Sequence, residues 1–533
     1  MWVSRKTGRS VVASTNGAVA TSQPLAAQTG ISILQKGGNA VDAAIATAAA
    51  IAVVEPMSTG LGGDAFALFA PNGNADRVIA LNASGRSGRR MTLEAFQKLG
   101  IEEIPLFGGM PITVPGALDG WSQLLSRYGN LELSEVLEPA ILYAENGFPV
   151  SEVIACQWSQ AVPRLKRTPE ATTTFLVDGK APIFGEIFKQ PRMANTLRLI
   201  AQEGPEIFYE GIIGEEIATT VEKYGGFIES EDLAAYLGEA SWETPISTDY
   251  RGYSIFECGP NGQGIAALIG LNILENYELS EWGSFQTLHA QIEAVKLSYA
   301  DLHSYIADPT KIFVPTKALL EKNYAKSRSK LISFDKSLDN PGSGSLSLGE
   351  DTIYLAVVDR DLNAVSFIQS LYYGFGSAIV AGDTGIALQN RGALFSLKPD
   401  HPNVVAPGKR PFHTIIPGMM ARDHEITLAF GIMGGDHQAL AHLQAASNII
   451  DFDFNVQEAL EAPRFHYSYS DGITSLEHGF PQEAISKLDG VGQRIEAIAN
   501  RRFGGGQMIA IDHKRNVLLA GSDPRKDGCA IGY

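Results

Sequence analysis

Cysteine is scarce in this chain: Cys156, Cys258 and Cys529 are all that 533 residues contain. They are odd in number, widely spaced and in no metal or redox pattern, which excludes a disulfide framework and fits reduced thiols in a cytosolic protein. Positive charge is also short. Lysine and arginine number 42 against 59 aspartates and glutamates, a formal net charge of −17. Phosphate backbones and anionic lipid are repelled, no Lys/Arg run offers a local exception, and nucleic acid is not an expected partner. No apolar run reaches membrane-spanning length; the most apolar stretch, Val41 to Val54, is short and Ala-rich and reads as a buried helix. Met1 to Ser22 has charges but no apolar core of signal-peptide length.

Several catalytic signatures are missing too. There is no HExxH and no Gly-x-Ser-x-Gly, and His437 and His442 are off the spacing that puts two ligands on one helical face, so neither a metal nor another cofactor is expected. Gly60-Leu61-Gly62-Gly63 precedes a strand, where a dinucleotide fingerprint should follow one. Ser327-Arg328-Ser329-Lys330 has the Ser-x-x-Lys form, but it lies in a charged helical stretch without a downstream Lys-Thr-Gly.

What is there describes a large protein able to bury a substantial core, with 45% hydrophobic residues. The first part alternates helix and strand. Ser22 is placed to cap a helix running to Lys36, and Asn39 to cap the next, which continues to Val54. Strands are expected at Asp64 to Ala70 and Arg77 to Ala83, and helices at Leu93 to Leu99, Ala117 to Tyr128 and Ser134 to Asn146. Helical periodicity returns from Met193 to Lys223 and Gly264 to Asn276, and Leu288, Ile292, Val295 and Tyr299 mark the core face of a long helix. No internal repeat is found.

The chemistry gathers around Thr352. Before it, Asp335 to Glu350 is rich in Ser, Gly and Asp and has no periodicity, as in a loop. After it, Ile353, Leu355 and Val357 alternate with Tyr354, Ala356 and Val358, so both faces of the coming strand are apolar and buried. A turn at Asp359 to Asn363 and a second β-rich run to Ser370 complete a hairpin. Pairing symmetric about Asp361 sets Thr352 opposite Ser370, at a cross-strand distance of roughly 4.5–5.5 Å. A threonine at such a junction suggests a self-cleaving chain. Cutting between Asp351 and Thr352 frees an α-amino group, which titrates near about 7.7–8.0 and can serve as the base for the neighbouring hydroxyl. Judged on these residues alone, an ordinary strand threonine is the stronger reading.

Asp351-Thr352, Val358-Asp359, Asn363-Ala364-Val365-Ser366, Gly376, Ile379-Val380-Ala381-Gly382 and Gly385-Ile386 together resemble the small-subunit start of the γ-glutamyltransferase family. Gly37 to Ala44, Gly62-Gly63, Pro407 to Pro411, Ala462 to His466 and Ser522 to Arg525 resemble further landmarks of that family in its order. The resemblance implies an N-terminal-nucleophile hydrolase of α+β class, a four-layer αββα sandwich. It also implies self-cleavage into a large subunit of residues 1–351 and a small subunit of residues 352–533, interwoven in one unit. A homodimer of the cleaved heterodimer is the assembly considered. The family pattern assigns Thr352 as nucleophile, Ser370 as the second hydroxyl and Gly434-Gly435 as the amides that hold the oxyanion.

The same pattern is departed from where the family binds the amino-acid end of glutamate. Ser84 stands for the Arg that holds the α-carboxylate, within Ser84-Gly85-Arg86-Ser87-Gly88. Arg391 replaces a Gln and Leu394 an Asp in the segment that receives the α-ammonium, Tyr372 replaces an Asn, and His413-Thr414 replaces a Ser-Ser pair. A cation repels an ammonium group. Arg391, with Arg86, His413, Thr414 and Tyr372 around it, instead suits a carboxylate that has no neighbouring ammonium. The signatures around Phe412 to Pro417, Met433 to Gln438 and Asp527 to Tyr533 are similar to the oxamate-amidohydrolase and acylase-like branch. An autoprocessed amidohydrolase acting on a small anionic amide is therefore expected. The alternatives are a γ-glutamyltransferase or glutathione hydrolase, and an uncleaved relative that only binds ligand.

Overall fold

The computed structural model describes residues 8–339, 351–497 and 503–533. Its frame is the hairpin around Asp361. Strand Asp351–Asp359 pairs antiparallel with Ala364–Tyr372, Val358 opposite Ala364 and Ile353 opposite Gln369, the register expected from symmetry about the turn. The last step differs. Asp351 pairs with Tyr372, so the ladder shifts between Asp351 and Ile353 and Thr352 sits in the irregularity rather than squarely opposite Ser370. A bulge re-aims the side chain of the residue it contains.

The hairpin lies inside a seven-stranded antiparallel sheet with the edge-to-edge order Cys529–Gly532, Gly17–Thr21, Asp351–Asp359, Ala364–Tyr372, Asp64–Ala70, Ile79–Ala83, Ser241–Glu243. A second sheet of seven runs Val12–Ser14, Val517–Ser522, Gly505–Asp512, Glu425–Met433, Gly418–Arg422, Tyr253–Glu257, Ile246–Tyr250. Each sheet takes strands from both sides of Thr352, so residues before and after it share both sheets.

Alternation along the hairpin strand sorts its side chains into two layers. Tyr354, Ala356 and Val358 join Phe66, Leu68 and Ile368 and meet Met419, Ala429, Met433 and Ile509 of the other sheet, forming the apolar layer between sheets. Ile353, Leu355 and Val357 point the other way, into a core shared with helices Pro24–Gln35, Ala40–Val54, Ala117–Tyr128, Leu133–Asn146 and Pro191–Glu203. The far face of the second sheet, with Ile255, Met420, Leu428 and Phe430, is covered by helices Gly264–Leu274, Phe285–Tyr305 and His437–Ile450. Helix, sheet, sheet, helix is the four-layer αββα sandwich.

Local detail corrects one cap. Helix Pro24–Gln35 is capped by Gln23, whose Oε1 accepts from Leu25 N at 2.6 Å, while Ser22 Oγ donates to Glu55 Oε2 at 2.7 Å. Proline at the first helical position and the longer Gln side chain move the cap one residue on. Asn39 caps Ala40–Val54 as expected, in a reciprocal box with Asp42.

Candidate active site

Thr352 is buried, with 1 % of its surface exposed in the uncleaved chain. Its Oγ1 lies 3.2 Å from Ser370 Oγ and accepts from Gln438 Nε2 at 3.4 Å. Ser370 Oγ also accepts from Tyr372 N at 2.7 Å and Arg391 Nη2 at 3.1 Å. Thr352 Oγ1 donates to Ser370 Oγ and receives a hydrogen bond from Gln438 Nε2. The Gln438 donor on Thr352 Oγ1 favours the alkoxide as the proton leaves.

Tyr372 follows two residues after Ser370 at φ 79°, a left-handed conformation that costs an aromatic residue energy. The amide bond to Ser370 holds it there, and its ring lies beneath Arg391, 4.5 Å from ring centre to guanidinium carbon. Arg391 is wholly buried, at the start of the short 3-10 turn Arg391–Leu394. Its Nη1 donates to Thr414 Oγ1 at 2.7 Å and its Nε has no hydrogen-bond partner. Among the described residues no carboxylate forms a salt bridge with it. Burial is the main force on its pKa, pushing it down to about 10, and Asp64 opposes this, so the guanidinium stays charged at neutral pH.

His413 and Asp64 stand behind Arg391. His413 Nε2 lies 3.0 Å from Asp64 Oδ2, and Asp64 Oδ1 accepts from Gly85 N at 2.8 Å and Gln389 Nε2 at 3.0 Å. Burial pushes Asp64 up to about 7, and burial with the nearby Arg391 and Arg410 holds His413 well below the ordinary histidine value. A neutral imidazole that donates through Nε2 to the carboxylate satisfies both. His413 Nδ1 then accepts from Ile415 N at 3.4 Å, which leaves no ring nitrogen for a ligand.

Gly434 and Gly435 take φ of 135° and 59°, between strand Glu425–Met433 and helix His437–Ile450. Upstream on that strand, a Cβ on Gly431 would come within 2.4 Å of the Tyr354 ring, so the strand crosses close above strand Asp351–Asp359. Gln438, in the first turn of the following helix, reaches Thr352 from one side and accepts from Ile416 N at 3.1 Å through Oε1. Gln263 Nε2 donates to the Gly435 carbonyl at 2.7 Å. Among the described residues neither glycine amide donates a hydrogen bond.

Thr352, Ser370, Tyr372, Arg391 and Thr414 thus share one hydrogen-bonded group, to which Gln438 ties the glycine turn. Arg86 lies elsewhere: its Nη1 donates to Gly408 O at 3.2 Å and sits 3.5 Å from Asp308 Oδ2. Asp64, Gln263 and Gln438 carry no role in the sequence reading. Gln438 stood within the quoted Met433-to-Gln438 signature, but nothing about an isolated amide marks it out. Ser84 bonds to Asn82 Oδ1 at 2.7 Å, away from the nucleophile's group. Among the described residues no cluster of three or more His, Cys, Asp or Glu side chains is arranged to hold a metal ion, and no helix is long and apolar enough to cross a membrane.

Comparison with known proteins agrees with this architecture along the whole chain. The family model described as Gamma-glutamyltranspeptidase matches residues 26–533. The Glutathione hydrolase-like YwrD proenzyme of Bacillus subtilis (strain 168) is 42% identical, over 95% of this chain and 97% of its own length. The Oxamate amidohydrolase proenzyme of Klebsiella pneumoniae subsp. pneumoniae is 36% identical, over 98% of this chain and 99% of its own. Among solved structures, the cephalosporin acylase from Bacillus halodurans superposes with a TM-score of 0.94 at 43% identity, covering 100% of this chain and 98% of that one. The four-layer fold and the whole-length match make one conclusion: this chain belongs to the gamma-glutamyltranspeptidase family and is an amide hydrolase of the N-terminal-nucleophile type.

Proposed function

We propose that the chain is a precursor that hydrolyses its own Asp351–Thr352 bond and then cleaves the amide of a small anionic substrate. Cleavage consumes one water, leaving a carboxylate on Asp351 and an α-amino group on Thr352. In each turnover the amine takes the Thr352 proton as Oγ1 attacks the amide carbon. The Gly434 and Gly435 amides hold the oxyanion. The departing amine takes the proton, and water then hydrolyses the acyl ester to regenerate Thr352.

The observation that carries the substrate class is Arg391: buried, charged and one hydroxyl away from the nucleophile. A guanidinium held there with no carboxylate in salt-bridge contact among the described residues supports recognition of a carboxylate, with Thr414 and the Tyr372 ring fixing its plane. Its closeness to Thr352 favours an acyl group with carboxylate and amide only a few bonds apart, as in oxamate. His413 and Asp64 support the anchor from behind. Arg86, held by Asp308, is better suited to fastening the loop at Gly408 than to touching substrate.

A γ-glutamyl substrate is the competing reading, because the 42% identical relative is named glutathione hydrolase-like. Assaying oxamate, succinamate and glutathione side by side separates the two. Faster turnover of the short amides supports the anion reading, and glutathione as the preferred substrate overturns it.

A further inference from the structure

Helix Phe285–Tyr305 buries an ion pair that the amide-hydrolysis chemistry does not use. Lys296 Nζ lies 2.8 Å from Glu293 Oε1, with the side chains 4% and 0% exposed. Burying two charges is costly unless their remaining hydrogen-bonding capacity is used. Here it is spent on one short stretch of chain. Lys296 Nζ donates to Ser337 Oγ at 2.7 Å and to Leu338 O at 3.0 Å, and Leu338 N donates to Glu293 Oε2 at 2.9 Å. The same stretch is gripped twice more, by Ser337 N to Val491 O at 2.8 Å and by His289 Nε2 against Ser333 O at 2.9 Å. Gln493 Nε2 fills the other lone pair of Glu293 Oε1 at 2.6 Å.

Leu338 is thereby held at both its N–H and its C=O, in the last described stretch before Asp351. One turn further along the helix, Tyr299 donates its hydroxyl to the Asp436 carbonyl, directly after Gly434-Gly435. Glu293, Lys296 and Tyr299 follow one another at three-residue spacing, so a single rigid helix sets the approaching chain relative to the glycine turn.

We infer that Glu293 and Lys296 are positioning residues for self-cleavage. Holding the chain at Leu338 fixes one end of the connection that leads to Asp351, and fixing one end of a connection raises the effective concentration of the other. Neither residue touches the reacting atoms. The inference rests on the self-cleavage reading and concerns only that step.

The test uses the full chain, purified as precursor. The double variant Lys296→Met with Glu293→Gln removes both charges and so leaves no lone buried ion; Leu338→Pro removes the N–H held by Glu293 without touching the pair. Both are expected to slow appearance of the fragment beginning at Thr352 by about two- to threefold, with activity per cleaved molecule equal to the parent's. Each is also made on a Thr352→Ala background, where the unfolding midpoint of the uncleavable precursor is expected to stay at its reference value. Cleavage at the parental rate overturns the inference, as does slowing that matches a loss of folded precursor. A parent chain that never cleaves removes the self-cleavage reading itself, and the clamp with it.

Discussion

In the proposed reading Arg391 recognises the substrate's carboxylate, and a single change tests it. Arg391→Gln keeps a hydrogen-bonding amide but loses the charge, which removes about 1.5–3 kcal/mol of charge-assisted bonding. The expected outcome is a tenfold to hundredfold fall in kcat/KM for a small anionic amide, carried mainly by KM; unchanged kinetics would reject Arg391 as the anchor. Glu55 supplies a second test at this scale. It is wholly buried, Ser22 and Ser58 donate to its two oxygens, and burial raises its carboxyl to about 7, with Lys526 opposing. A carboxyl raised on folding is more protonated in the folded than in the unfolded state between its two pKa values. Its contribution is therefore full below the ordinary value of 4.5 and is lost as pH rises toward about 7. Glu55→Gln should abolish that part of the decline, so the parent's unfolding midpoint should fall relative to the variant's across this window. Parallel curves would remove the assignment.

Strand geometry decides where the Thr352 side chain points. The hairpin was legible because its turn composition and period-two alternation agree, and symmetry about Asp361 predicts the observed register as far as Ile353 and Gln369. The irregularity at Thr352 was not legible, because a bulge depends on what pairs with the strand from elsewhere in the chain. Ser370 itself pairs with Asp64 of a neighbouring strand. The same limit hid Gln438 and Gln263, whose roles come from long-range folding and not from spacing. Arg391 was legible as a cation in the wrong place for an ammonium group, whereas Arg86, near in sequence pattern to the binding segment, is taken up by Asp308. Tight crossing of the two sheets adds an element-scale prediction. Gly431→Ala would put a methyl group 2.4 Å from the Tyr354 ring. Overpacking of this kind costs about 1–3 kcal/mol, so the unfolding midpoint should drop measurably. A variant as stable as the parent would mean that the sheets separate there at little cost.

At the scale of the whole molecule, both sheets mix strands from before and after Thr352, so a cut there cannot release two domains. The two products should elute together under native conditions and separate only when denatured. The central claim is that one peptide bond, Asp351–Thr352, is broken by the chain itself to activate the hydroxyl beside it. Mass spectrometry of the purified protein under denaturing conditions tests this most directly. The expected result is two species corresponding to residues 1–351 and 352–533, with Thr352→Ala giving only the intact chain and no amide hydrolysis. An intact parent chain that nonetheless hydrolyses amides, or a cut at any other bond, would contradict it.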